Sequence, residues 1–278
     1  MPFGSSRTIL AAAALAAAVS PLAVASPAAA QGDLLVAPTR VILDGRRGTE
    51  VILSNIGSEE ATYRIGLELR RMLENGRLVP VEKTAASDAE EAALGMIRYA
   101  PRRITLPPGQ PQAVRLAARP GADLPDGEYR VHMSFKAIPT PRDVTDEQPS
   151  SGGVQIKLIP IYGVTIPIIV RHGKLTAQVA INQPRVVAGE DGPELALTLQ
   201  RSGESSTYGE LRVTKPGKKE PLLLSRGLAI YTDINAREVR IPLTAEQAAS
   251  LTGQLRFEYR EMPEAGGGVI ASVDALVG

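Results

Sequence analysis

The chain has 278 residues, and its 31 Lys and Arg residues nearly balance its 30 Asp and Glu residues. This balance argues against a general role in binding nucleic acids or anionic membranes, because proteins with those roles carry a basic excess. The chain has no Cys, which excludes disulfides, thiol chemistry and Cys-based metal sites. It also has no Trp and only three Phe, so we expect a core of aliphatic side chains.

The first thirty residues have the pattern of a secretory signal peptide. Arg7 supplies the charged start, residues 9–24 are rich in Ala, Leu and Val, and three alanines precede Gln31. A membrane anchor is the alternative, but this apolar stretch is shorter than the roughly 20 residues that a spanning helix needs. We therefore predict a signal peptide at 1–30, a first domain at 31–171 and a second domain at 172–278.

Short alternating segments separated by turns dominate the first half, which is typical of an all-β sandwich. Asn75-Gly76 is a strong hairpin signal between two of these segments. We expect segments 96–99 and 103–106 to pair with each other. The predicted strands are 34–36, 41–43, 50–54, 61–69, 78–81, 96–99, 103–106, 112–117 and 128–138.

Residues 85–94 interrupt this pattern with an Ala- and Glu-rich stretch. Ser87 followed by Glu90 resembles a capping box, which predicts a short helix. A surface insertion without regular structure explains the same composition, and the two alternatives stay open.

The region after residue 139 combines a polar loop with an apolar run. Residues 154–158 alternate at the period of a strand, and residues 159–170 continue as an apolar run interrupted by Pro160, Gly163 and Pro167. Because proline cannot donate to a sheet ladder, we expect this run to be an edge strand. An apolar edge strand that is left open is a site for pairing with another chain, which predicts strand-to-strand binding.

The second half again predicts an all-β sandwich. Thr244 and Gln247 form a second capping-box pattern, which indicates a short helix at 244–251. The predicted strands are 175–182, 194–200, 210–214, 222–225, 228–231, 238–242, 254–259 and 269–276.

Residues suited to catalysis or metal binding are sparse. Of the two histidines, His132 is expected to be a half-exposed strand residue and His172 to lie at the junction between the halves. Neither has acidic neighbours at the spacing of a catalytic triad or a metal site. We therefore predict no enzymatic activity and no cofactor.

Several segments, in this order and spacing, resemble the PapD-like periplasmic chaperones of chaperone–usher pilus assembly. They are residues 36–43, 51–55, 99–110, 129–139 and 154–170. The resemblance implies two immunoglobulin-like sandwiches with a cleft between them. It also implies a chaperone that caps fimbrial or related secreted subunits by donor-strand complementation and delivers them to an outer-membrane usher, without stable membrane insertion.

The resemblance also implies the residues that bind the subunit. Val154, Ile156 and Leu158 would donate their side chains to the subunit's open groove. Arg40 matches the arginine that grips the subunit's terminal carboxylate. Thr165 stands where the family has a lysine as second anchor, and Arg171 or Lys174 could replace that lysine.

Two other functions are alternatives to a chaperone. An exported two-domain structural or adhesin subunit would need its own free donor extension, and residues 31–33 are too short for one. A sugar-binding sandwich usually stacks sugars on aromatic side chains, and the chain has few aromatics and no Trp.

Overall fold

The computed structural model describes residues 34–139 and 161–278. The first part of the chain forms a β-sandwich of two sheets, with strand orders β1-β3-β8-β6 and β2-β10-β9-β4-β5, and β7 also pairs with β4. The strands are β1 (Leu34–Ala37), β2 (Val41–Leu43), β3 (Thr49–Asn55), β4 (Ala61–Met72), β5 (Leu78–Val81), β6 (Ile97–Ala100), β7 (Arg103–Leu106), β8 (Pro111–Ala118), β9 (Gly127–Ile138) and β10 (Gly163–His172).

The last part of the chain forms a second sandwich, so the predicted all-β fold with two immunoglobulin-like sandwiches is confirmed. Its sheets have the orders β11-β12-β15 and β14-β13-β16-β17. The strands are β11 (Ala177–Ala188), β12 (Pro193–Gly203), β13 (Thr207–Thr214), β14 (Leu223–Ile230), β15 (Ala236–Pro242), β16 (Gly253–Glu261) and β17 (Val269–Val277).

Aliphatic side chains fill both sandwiches, as the composition predicts. Val51, Leu53, Val114 and Ile168 are fully buried in the first core, and Leu195, Leu199 and Leu211 occupy the equivalent place in the second. Every second residue along these strands points inward, because successive side chains of a strand face opposite sides of the sheet.

The first strand region changes sheets at Pro38. β1 pairs antiparallel with β3, whereas β2 pairs parallel with β10 on the opposite sheet. The intervening residues, Pro38 to Arg40, therefore cross from one sheet to the other. This crossing places Arg40 at the entry to β2, on the side of the sandwich that faces the second sandwich.

The described part of the proline-containing run is an edge strand over only half its length. β10 pairs with β9 throughout, but β2 covers only Ile168 to Val170 on its other side. Pro167 directly precedes this covered portion. The edge prediction is therefore correct up to Pro167 and wrong beyond it, where β2 encloses the strand.

Two local predictions in the first half need correction or completion. β6 and β7 do not pair with each other, since β6 pairs with β8 and β7 with β4 in the opposite sheet. The ambiguous segment is helical: α1 (Asp88–Met96) begins with the complete Ser87 and Glu90 capping box and buries Ala93 and Met96.

In the second half, the two predicted strands 222–225 and 228–231 are one strand, β14, with an irregularity next to Gly227. Glycine is favoured there because its backbone has a φ of 79°. The helix α2 (Ala245–Ser250) carries the predicted Thr244 and Gln247 capping box.

The two sandwiches contact each other through a separate apolar cluster of Met72, Ile169, Ala229 and Tyr231. A second contact lies at the β4–β5 turn, where the backbone N–H of Glu238 on β15 donates to the carbonyl of Glu74 at 2.7 Å.

Candidate functional site: an arginine-lined cleft between the sandwiches

The candidate site lies on the outer face of the β2-β10-β9-β4 sheet, where residues of the second sandwich cover it. Strand register places Ile169 opposite Arg130, Pro167 opposite His132, and Thr165 opposite Ser134. These side chains alternate with the inward residues of the first core. In an ordinary sandwich this face meets water, but here part of it is buried.

Arg40 reaches from the β1–β2 crossing to the second sandwich. Its Nη2 donates to Ser206 Oγ at 3.1 Å and its Nη1 to the Tyr231 hydroxyl at 3.4 Å. The centre of its guanidinium lies 4.8 Å from the ring centroid of Tyr208 and 5.4 Å from that of Tyr231. These distances are typical of cation–π contacts. Among the described residues, Arg40 has no acidic partner within salt-bridge distance.

Burial lowers the pKa of Arg40, chiefly through desolvation, and the nearby positive charge of Arg171 lowers it further. Tyr231, Glu128 and Tyr208 act in the opposite direction. A guanidinium starts from so high a pKa that it keeps its proton in proteins. Arg40 is therefore a half-buried cation whose hydrogen-bond partners are neutral hydroxyls.

Glu128 and Arg171 join the two sandwiches beside Arg40. Arg171 Nε donates to Glu128 Oε2 at 3.1 Å, and the same oxygen accepts from the backbone N–H of Ser206 at 3.0 Å. Arg171 Nη2 also donates to the carbonyl of Ser206 at 2.9 Å. The Glu128 side chain is fully buried. Ser206 is therefore contacted by both Arg40 and Arg171.

Arg130 and Asp233 form a second connection between the sandwiches. The two side chains form an ion pair, and Asp233 Oδ2 also accepts from the backbone N–H of Met72 at 2.8 Å. The guanidinium of Arg130 lies 3.9 Å from the ring centroid of Tyr231. The guanidinium groups of Arg130 and Arg40 therefore both pack against the ring of Tyr231.

His132 lies under Tyr231, with the two rings edge to face and their centroids 6.4 Å apart. The expectation of a half-exposed strand residue is wrong, because His132 is only 1% exposed. Neither ring nitrogen has a hydrogen-bond partner among the described residues. Desolvation, reinforced by the charges of Arg130 and Arg70, lowers the pKa of His132 to about 3.

Thr165 lies on the same face but takes part in a different cluster. Its hydroxyl donates to Glu68 Oε1 at 3.5 Å, and Glu68 forms ion pairs with Arg70 at 2.6 Å and Lys136 at 3.1 Å. The residue that shares a contact with Arg40 is Arg171, through Ser206. The anchoring roles of Arg40 and Thr165 stay predictions.

Val154, Ile156 and Leu158, the expected donor residues, lie outside the described residues. Ile161 and Tyr162, which directly precede β10, are 64% and 50% exposed. The described part of the apolar run therefore begins with two large side chains exposed to solvent.

Sequence reasoning missed the contribution of the second sandwich to this site. Ser206 directly precedes β13 and Tyr208 lies in it, whereas Tyr231 and Asp233 lie in the turn after β14. None of the four belongs to a recognisable motif. The alternation of β9 places Arg130 on the polar face of that strand. Nothing in the sequence indicates that the second sandwich covers this face.

The described residues offer little for other kinds of chemistry. They contain no group of His, Asp and Glu side chains arranged to hold a metal ion. In the same ranges, no helix is long and apolar enough to cross a membrane.

No protein-family model matches the chain, and no curated protein matches it by sequence. Solved fimbrial chaperones resemble it. The E. coli chaperone DraB has 17% identity and a TM-score of 0.43, over 88% of this chain and 96% of that one.

Two other similar chains come from chaperone complexes. One is from the complex of the Salmonella enterica SafA pilin with the SafB chaperone, with 16% identity, a TM-score of 0.44, and coverage of 87% of this chain and 95% of that one. The other is from the CsuC–CsuE chaperone–tip adhesion subunit complex of Acinetobacter baumannii, with 14% identity, a TM-score of 0.43, and coverage of 88% and 98%.

Proposed function

We propose that this chain is a periplasmic chaperone that captures incompletely folded fimbrial or related secreted subunits and delivers them to an outer-membrane usher. The observation that carries the proposal is Arg40, a cation with neutral partners in the cleft between the sandwiches. Its charge is not cancelled by an acid at contact distance among the described residues, so it is available to an incoming carboxylate.

The Arg40 guanidinium is suited to binding a carboxylate. A guanidinium offers parallel N–H donors that match the two oxygens of a carboxylate, and such charge-assisted bonds are about twice as strong as neutral ones. Ser206 and Tyr231 use one donor each. The C-terminal carboxylate of a subunit strand is the group that an extended chain would bring to this end of the sheet.

The sheet edge beside Arg40 supports binding by strand addition. β2 is the last strand of its sheet, and its outward residue Ile42 is 49% exposed. Before Ile168, β10 has no neighbour on that side within the described chain. A subunit strand would gain main-chain hydrogen bonds along such an edge, and alternate side chains would set its register. Val154, Ile156 and Leu158 continue this run in sequence, and we propose them as the donor side chains.

We expect Arg40→Ala to lower subunit capture by about tenfold, because a hydrogen bond to a charged group is worth about 1.5–3 kcal/mol. The measurement is co-purification of a fimbrial subunit with this chain after co-expression of the two in the periplasm. A companion variant, Ile156→Asp, tests the donor run, since a charge on the donated face would enter an apolar groove.

Arg102→Ala is the matched control, because Arg102 also stacks on a tyrosine, with its guanidinium 4.7 Å from the Tyr99 ring, but on the surface of the first sandwich. Capture should be unchanged in this control. Equal capture by Arg40→Ala and the wild type would remove the carboxylate anchor, and equal capture by Ile156→Asp would remove strand donation.

A further inference from the structure

The second sandwich holds Arg40 in place without using a charge. Among the described residues, its hydrogen bonds go to Ser206 and Tyr231, and its ring contacts are with Tyr208 and Tyr231. All three residues belong to the second sandwich, whereas Arg40 belongs to the first. The orientation of this cation therefore depends on a part of the chain that is more than 160 residues away in sequence.

Tyr231 is itself fixed from several sides. Arg130 packs on its ring at 3.9 Å, and the His132 ring lies at its edge. Arg130 is held in turn by Asp233 and by the carbonyl of Arg70, at 2.9 Å from the latter. A ring enclosed in this way has little freedom to rotate or move, so the Arg40 guanidinium against it is pre-organised.

Ring faces and hydroxyls restrict a guanidinium without neutralising it, whereas a carboxylate partner would do both. Thr165, at the position expected for a second cation, carries no charge and donates to Glu68. Arg171, the cation that shares Ser206 with Arg40, is already paired with Glu128. An arginine that must select a carboxylate without a free second cation gains most from being held in one orientation.

We propose that Tyr208 and Tyr231 are positioning residues for the carboxylate anchor: they hold the Arg40 guanidinium in a fixed orientation and so take over the part that a second cation plays. This inference rests on the proposed function. It assigns the second sandwich a role in ligand selection that requires no contact with the ligand.

The test uses two synthetic peptides of the same alternating Val/Thr sequence, one ending in a free carboxylate and the other in an amide. Their dissociation constants are measured for the full-length mature protein. We expect the wild type to prefer the free acid by about tenfold, the scale of one charge-assisted hydrogen bond. Tyr208→Leu and Tyr231→Leu should each reduce this preference to about threefold or less, and Tyr231→Phe, which keeps the ring, should retain most of it.

The preference between acid and amide is the decisive readout, because a general loss of stability weakens binding of both peptides equally. Tyr231 is buried and its leucine variant is the more disruptive, so Tyr208→Leu, at a half-buried position, decides the outcome if Tyr231→Leu does not fold. Arg102→Ala again serves as the control for an unrelated Tyr–Arg contact.

The inference and the proposed function fail in different ways. If Arg40→Ala abolishes the acid preference while both leucine variants keep it, the anchor stands and the positioning role is wrong. If the wild type and Arg40→Ala bind both peptides alike, the carboxylate anchor itself is wrong, and the positioning role falls with it.

Discussion

Replacing Glu128 by alanine should cost about 3 kcal/mol of folding free energy, which is on the scale measured for breaking a buried ion pair from one side. Glu128 Oε2 accepts from Arg171 of the first sandwich and from the backbone of Ser206 in the second. Its loss leaves the backbone N–H of Ser206 without this partner and removes the negative charge that pairs with Arg171 and acts on Arg40. Urea denaturation followed by circular dichroism measures the difference.

Glu50→Ala is the matched control for this prediction. Glu50 also pairs with an arginine, Arg115, at 3.1 Å, but the two side chains are 49% and 84% exposed. Exposed pairs contribute about 0–1 kcal/mol, so this variant should unfold close to the wild type. A loss for Glu128→Ala no larger than that for Glu50→Ala would mean that the Glu128 network does not stabilise the contact between the sandwiches.

The second large effect is a loss of stability in acid that depends on His132. Burial against Tyr231 and the charges of Arg130 and Arg70 lower the pKa of His132 from 6.5 to about 3. Below pH 6.5 the unfolded chain binds a proton that the folded chain refuses, so the stability present at neutral pH is lost as the pH falls from about 6.5 to 3. Because one pKa unit corresponds to about 1.4 kcal/mol, the full loss is on the order of 5 kcal/mol.

His132→Phe isolates this contribution, because phenylalanine fills a similar volume beside Tyr231 and does not titrate. Denaturation midpoints at pH 7 and pH 4 should differ less for this variant than for the wild type. Carboxylates contribute their own acid dependence, among them Glu90, whose pKa is lowered to about 2 chiefly by its hydrogen bond from Arg71, but they do so equally in both proteins. Parallel pH profiles for the two proteins would contradict the assignment to His132.

Much of the fold could be predicted because the strands alternate cleanly and the helices begin with recognisable caps. The capping boxes at Ser87 and Thr244 are both present in the structure. The pairing of the strands was harder to predict, since β6 and β7 are neighbours in sequence but belong to opposite sheets. A period of two identifies a strand and its faces, but it carries no information on which strand lies alongside.

Only those residues of the site that belong to the first sandwich could be predicted. Arg40 follows a proline crossing and stands out, whereas Tyr231 and Ser206 act through their position in space alone. The same limit explains the error at His132. The alternating pattern correctly predicts that its side chain points away from the first core, but it does not predict that the second sandwich covers this side chain. Burial that arises between two folded units leaves no periodic signal in either one.

The backbone hydrogen bond between Glu238 and Glu74 has a consequence for how such a protein can vary. No side chain makes this bond, so every residue except proline at position 238 can preserve it. This contact at the β4–β5 turn therefore tolerates most substitutions at position 238. Side chains that line the cleft can therefore change while this contact between the two sandwiches is kept.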